Sequence, residues 1–424
     1  MSAVDLQDPI LDSGIRSINF FNGRLLTARD LTREQTANRE VDKQLGQAIG
    51  DGVVNGFEVS KSRLLQSTTE APMLTVTSGL AINRRGQTLQ LTSDTDIALV
   101  REANGNVAAL GFNECVPLQT GTFRAGAGVY LLTVAPAQTT EGRAAVSGLD
   151  RGIASCNTDL IVSTLQFRLV QLNPPLTDPE VDDESHLRNL VAYKCFGVDD
   201  LRLSVTDPFG PQLKQYGLLD SLRSTRLTDC DVPLAVFYWT LAGGVKFIDM
   251  WSVRRPPTRL NSTGGWSNFV DDRFRHDGEA RFLQFQAQIT ELRQLTADPR
   301  TVAARDNFQY LPAVGVIPRT TGLRLGFEYR RFFQDQTYRE PVFIEGARLE
   351  RLIRDSTAYA PIKLGTGELI YLYEARQNVQ ATAGGGALIP QSYLIFSSGH
   401  MPFCGEARFD VNRYNYSNYS TVYD

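Results

Sequence analysis

Apolar and polar positions alternate along this chain in two rhythms. From Thr27 the period is helical: Leu31, Val41, Leu45, Ala48 and Ile49 share one face, while Arg33, Glu34, Arg39, Glu40 and Lys43 lie largely on others. Thr27 followed by Asp30 reads as a capping signature. Gly50, Gly52 and Gly56 end the helix and let the chain turn back closely. The apolar stripe is thin, with Gln35 and Asn38 in its middle, so such a helix buries little by itself and is expected to lean on another surface. The pattern therefore predicts a docking helix over 27–49, with Leu31, Val41, Leu45 and Ile49 as its interface and structural turns at Gly23, Gly52, Gly56 and Gly86.

Beyond residue 60 the period falls to two. Leu80 and Ile82 lead into "NRRG", and Leu89 and Leu91 return, which predicts a hairpin closed by Gly86. "GVYLLTVAP" and "DLIVSTLQFRLVQL" read as strands, the second with Ile161, Leu165, Phe167 and Leu169 on one face. "PLAVFYWTLA" and "VKFIDMWSV" flank Gly243-Gly244 as another hairpin. "QLNPPLTDPEVDDESH" (171–186) reads as an acidic, proline-rich surface loop, and "RRPPTRLNSTGGW" (254–266) as a linker. A second long helix is expected in "DDRFRHDGEARFLQFQAQITELRQL", where Phe282, Phe285, Ile289 and Leu292 recur at helical spacing. After it, "GLRLGFEYRRFF", "PVFIEGARLERLI", "ELIYLYEA" and "SYLIFSS" read as strands. The expected fold is mainly β with two long helices (α+β), in elongated, β-sandwich-like domains. The divisions are 1–60 (docking helix and glycine-rich turn), 61–255 (β-rich), 256–300 (linker and helix) and 301–424 (β-rich, with a tyrosine-rich tail).

Composition changes this picture little. Over 424 residues, 42% apolar and 21% charged residues are ordinary for a globular protein. A net charge of −4 argues against nucleic acid as a partner. The stretch "MSAVDLQDPILDSGIRS" lacks the basic region and apolar core of a secretory signal, and no run approaches a membrane span, so a cytoplasmic location is expected. Five widely spaced cysteines (Cys115, Cys156, Cys195, Cys230, Cys404) form neither a disulfide framework nor a CxxC pattern and read as buried free thiols.

Catalytic signatures were sought and are lacking: the chain has no GxSxG, HExxH, Walker A or spaced GxGxxG motif. Three scattered histidines (His186, His276, His400) make a zinc site improbable, and His400 with Cys404 is broken by an intervening proline. The carboxylates of 178–184 lack the glycine and spacing of an EF-hand. No catalytic residue, cofactor or metal is expected. The tail "RFDVNRYNYSNYSTVYD" is different: Tyr414, Tyr416, Tyr419 and Tyr423 are candidate interface residues, or else a terminal strand packed on its own domain. The paired arginines Arg254-Arg255 and Arg330-Arg331 suit bidentate contacts to carboxylates.

The segments "FFNGRLLTARDLTREQ", "GDGVVNGFEV" and "VTSGLAINRRGQTLQL" resemble the N-terminal pattern of a structural protein of phage-tail-like contractile injection systems. Phe21, Gly23, Leu25, Leu26, Thr27, Asp30, Gln35, Gly52, Val53, Val54, Gly56, Gly79, Leu80, Ala81, Ile82 and Gly86 carry the match. "FIDMWSVRR", "FQYLPAVGVIP" and "YLIFSSGHMPFCGEARFDVNRYNYSNY" extend it, with the stretch 100–230 contributing little. Asp51-Gly52 stands where many relatives have a histidine, so no role for that histidine carries over. The resemblance implies a non-enzymatic subunit at the periphery of the baseplate or in the outer shell of a sixfold particle. Its partners would be baseplate, sheath or spike-complex subunits, with membrane contact made through the assembly. A carbohydrate-binding or adhesive fibre-like module, marked by exposed Trp251 and Trp266, is the competing expectation. An unrecognised enzyme is a third.

Overall fold

The computed structural model describes residues 14–62, 73–101, 123–124, 126–145, 156–172, 184–207, 209, 216–223, 225–240, 242–259, 272–320, 325–345, 349–376 and 393–401. The tyrosine tail, Trp266, Cys404 and most of the acidic loop lie outside them. The protein is a mixed α/β structure with most of its regular elements in strands, arranged in several sheets, together with seven helices among the described residues.

Helix α1 (Ala28–Ile49) leads into six short strands: β1 (Gly52–Gly56), β2 (Val59–Lys61), β3 (Met73–Val76), β4 (Gly79–Ile82), β5 (Thr88–Leu91) and β6 (Thr95–Ala98). They form two three-stranded sheets, β1-β4-β5 and β2-β3-β6. The β4–β5 hairpin pairs Ile82 with Thr88 and Ala81 with Leu89, around a turn in which Gly86 takes φ +77°. The pair β7 (Val100–Arg101) and β8 (Phe123–Arg124) stands apart.

The central sheet has the order β10-β9-β11-β12, all antiparallel, from β9 (Gly128–Ala145), β10 (Cys156–Gln171), β11 (Val232–Thr240) and β12 (Gly244–Asp249). Both of its faces are covered. Phe57, Leu74, Val76, Ala81 and Leu89 pack on one face against Tyr130, Leu132, Leu234 and Phe237. Three helices that the sequence reading had passed over lie between β10 and β11: α2 (Glu184–Phe196), α3 (Val198–Thr206) and α4 (Gly217–Arg223). Leu187, Val191 and Cys195 of α2, with Leu218 and Leu222 of α4, cover the other face against Val129, Leu131 and Val236. Burial on both sides explains why β11 reads as an unbroken apolar run.

Helix α5 (Asp272–Leu295) is followed by the remaining sheet elements: β13 (Tyr310–Leu311), β14 (Val314–Pro318), β15 (Thr337–Tyr338), β16 (Val342–Glu345), β17 (Ile362–Lys363), β18 (Leu369–Arg376) and β19 (Tyr393–Ser397). The main sheet runs β14-β19-β18-β15, with β16 also pairing β18. Phe285 and Ile289 of α5 enter a cluster with Phe308, Phe327, Phe332, Phe333 and Phe396. "GLRLGFEYRRFF" is not a strand: Tyr329–Phe332 forms the short helix α6, burying Phe332 among these rings. "PVFIEGARLERLI" divides into β16 and helix α7 (Leu349–Ser356), whose Leu352 is buried. The two-helix expectation is corrected accordingly, and the described strands form separate small sheets rather than one plain sandwich.

One further correction concerns the cysteines. Cys195 is a buried free thiol, pushed up to about 12 mainly by desolvation and secondarily by Asp249. Cys230, in contrast, is disulfide-bonded, which sequence spacing alone gave no reason to expect. No described helix is long and apolar enough to cross a membrane.

Candidate docking surface

The end of α1 is fixed where glycines allow backbones to touch. A Cβ on Gly46 would lie 2.1 Å from the Gly86 carbonyl oxygen, and one on Gly86 would lie 1.9 Å from that of Lys43. Gly50, at φ +107°, abuts the Thr258 backbone in the same way. Thr258 N–H donates to the Asp51 carbonyl at 3.0 Å and Val53 N–H to that of Arg255 at 2.9 Å. Gly52 and Gly56 are equally close-packed, against Arg255–Pro256 and Ser78–Gly79, whereas Gly23 meets nothing within 4 Å.

The other end is tied only to itself. Thr27 Oγ1 accepts from Asp30 N–H at 3.2 Å, and Asp30 Oδ2 accepts from Thr27 N–H at 3.1 Å, closing a capping box. The Thr27 hydroxyl and backbone bonds, with Arg24 adding, hold the Asp30 carboxyl below its ordinary range. The segment before the helix folds back along α1, where Ile18 N–H donates to Glu34 at 3.0 Å and Ile18 is buried.

Between these fastenings one face of α1 stays open. Leu31, Val41, Leu45 and Ile49 are 52%, 43%, 61% and 53% exposed. At 3.6 residues per turn they fall within an arc of about 80°. The buried positions of α1, Ala37 and Gly46, flank that arc, about 40° and about 60° beyond its two edges. Phe20, Phe21, Leu25 and Leu26 of the segment leading into α1 are exposed as well. The stripe runs along a helix ~33 Å long.

Sequence reasoning missed a second projecting element. β9 pairs with β11 only as far as Val134, but its pairing with β10 continues from Ala135–Gln166 out to Ala145–Cys156. The result is a two-stranded ribbon of roughly 35 Å whose long edges pair with no other strand among the described residues. "GVYLLTVAP" suggested that β9 stops at its proline. Pro136 instead lies just past the last residue paired with β11, where a missing N–H is tolerated. Ile161 continues the face of Leu165, Phe167 and Leu169, but those three reach the core while Ile161 is 66% exposed. Leu160 is exposed on the opposite face. A lone ribbon is marginal in water.

Behind the helix lies a network of charges. Arg84 Nε donates to Asp51 Oδ2 at 3.3 Å, Arg273 Nη1 to Asp220 at 2.8 Å, and Arg255 Nε to Asp277 Oδ1 at 2.5 Å. Tyr216 OH adds a 2.6 Å bond to Asp277. Burial raises the Asp277 carboxyl, but Arg255, Arg273 and Arg281 outweigh it and hold the group below 3.8. The Arg255 contact realises the carboxylate pairing expected of the 254–255 arginine pair, while Arg254 donates to the Gly56 carbonyl at 2.6 Å. This network fastens the start of β1, α4 and α5 together behind the end of α1.

The features that would favour other chemistry are weaker. Trp251 is half-buried rather than presented on a groove. The His400 ring packs at 4.2 Å on Tyr371. Among the described residues no cluster of three or more potential metal ligands occurs. Tyr414, Tyr416, Tyr419 and Tyr423 lie outside the described residues. No protein-family model and no curated protein matches the chain.

Proposed function

We propose that the chain is a non-enzymatic structural subunit of a contractile, phage-tail-like injection particle. It would sit at the periphery of the baseplate or in the outer shell, where it helps to anchor the particle to a membrane or cell structure. The observation carrying this reading is the open apolar stripe of α1, Leu31–Val41–Leu45–Ile49, held on a base of interlocked glycines. A stripe that served folding alone would be buried in the chain's own core. The projecting β9–β10 ribbon supports the same reading, because its edges invite strands from a neighbour. Its neighbours would be other particle subunits, and it would lie in the cytoplasm as part of a large assembly.

The test is made in cells that produce the particle. The tagged full chain, a chain lacking residues 1–50 and one lacking 412–424 are sedimented with sheath-containing particles. The full chain is expected in the particle fraction, and loss by either folded deletion marks that segment as an anchor. Recovery of the full chain only at low mass would end the proposal.

A further inference from the structure

The charge network encloses a cavity of about 80 Å³, lined by residues that include Asp51, Arg84, Asp220, Arg223, Arg255, Arg273, His276 and Asp277. In its lining four guanidiniums face three carboxylates, and Asp229, outside the lining, adds a further negative charge toward Arg223. Each carboxylate is already shared between two arginines: Asp51 between Arg84 and Arg223, Asp220 between Arg84 and Arg273, and Asp277 between Arg255 and Arg273. Arg223 is served worst. Among the described residues its one ion contact is Nη2 to Asp51 at 3.9 Å, and its buried Nε and Nη1 meet no acceptor there. Its side chain is only 13% exposed, so bulk water does not replace the missing bonds. Arg281, fully buried behind Asp277, also leaves all three guanidinium nitrogens unbonded and adds to the positive excess.

A buried guanidinium with free N–H groups is costly unless an acceptor with negative charge arrives. The planar fork of arginine suits a carboxylate or phosphate oxygen pair. The cavity has room for a few heavy atoms and its rim, at Arg84 and Arg273, is partly exposed. We infer that this cavity is a binding site for a small oxyanion, of phosphate or carboxylate chemistry, held chiefly by Arg223. The anion would tie α4 to the start of β1, directly after α1, and so stiffen the base on which the exposed stripe stands. Desolvation, together with repulsion from Arg84, already pulls Arg223 down to about 10, so an anion in the cavity relieves the guanidinium. His276, whose Nδ1 lies 2.9 Å from the Thr258 hydroxyl, is lowered by burial and by Arg275, which keeps it from adding to the positive excess. This inference does not depend on the particle reading.

The full chain is titrated with inorganic phosphate and with acetate by calorimetry and by phosphorus NMR, at ionic strength matched with chloride. Saturable binding of one equivalent is expected, weakened at least tenfold in Arg223→Gln and only partly restored in Arg223→Lys, which keeps the charge but not the fork. The preferred anion distinguishes a phosphate source from a carboxylate one. Thermal unfolding in the same buffers should show an anion-specific rise in Tm in the wild type that is absent in Arg223→Gln. An equal rise in wild type and Arg223→Gln would indicate general salt exclusion and overturn the inference. Lack of saturable binding to the wild-type chain would overturn it irrespective of how the variants fold.

Discussion

Replacing Gly46 by alanine sets two forces against each other, and the structure decides the sign. In a helix interior alanine is favoured over glycine by about 0.8–1 kcal/mol. Gly46, however, faces the backbone of the β4–β5 turn, and a Cβ there would lie 2.1 Å from the Gly86 carbonyl oxygen and 2.7 Å from its Cα. That oxygen contact is roughly 1 Å inside the ~3.3 Å of a close C···O approach. Both partners are backbone, so relief requires helix and hairpin to separate. Overpacking of this kind costs about 1–3 kcal/mol, which exceeds the propensity gain over most of its range. Gly46→Ala should therefore loosen the base of α1 by about 1 kcal/mol. Asn38→Ala, on the open stripe, should tighten the helix by a few tenths. Hydrogen exchange of the amides of residues 43–50 measures both, with exchange several-fold faster expected in Gly46→Ala and slightly slower in Asn38→Ala. Trypsin cleavage at Arg33 and Arg39 supplies an independent check. Unchanged or slower exchange in Gly46→Ala would refute the close crossing of α1 and the hairpin.

Three further outcomes follow from the buried groups. Asp277→Asn leaves Arg255 and Arg273 without their shared charge and should cost about 3–5 kcal/mol in urea unfolding. Because the folded carboxyl titrates below its unfolded value of about 3.9, the wild-type advantage should be full above that pH. It should be lost progressively as the pH falls through the folded value, and an advantage that grew in acid would contradict the assignment. In thiol titration, native Cys195 should stay unreactive at neutral pH, and the denatured, unreduced chain should yield at most three thiols of its five cysteines.

The legible parts of the fold were those where one local rule acted alone. Thr27 and Asp30 marked the start of α1 because a capping box is a local motif. Gly243-Gly244 marked the β11–β12 hairpin, and Gly86 the β4–β5 turn, for the same reason. The helices of 184–223 were hidden by their polar residues. Arg188 and Asn189 are buried in α2, the first pairing Asp249 and the second accepting from the N–H groups of Gln309 and Tyr310. In α5 the apolar spacing was visible, but the polar Asp277, Arg281, Gln284 and Gln288, along the flank of the same face, are buried too, so the buried arc is wider than the apolar residues mark. The charge network joins segments far apart in sequence, and only the topology of the central sheet brings Asp51 and Arg84 beside Asp220 and Arg273. The tyrosine tail lies outside the described residues, so its sequence-based assignment stands as an expectation.

The central claim is that the stripe on α1 serves a partner and not the fold. Leu31, Val41, Leu45 and Ile49 are replaced together by serine in the tagged full chain, which is followed both alone and in particle-producing cells. Because all four are about half exposed, the structure beyond α1 should survive with unchanged unfolding of the body, and α1 itself should lose only modest helix propensity. Sedimentation with sheath-containing particles should fall to background. Wild-type sedimentation by the quadruple variant would contradict the account, as would global unfolding of the purified variant, which would place the stripe in the core of the chain.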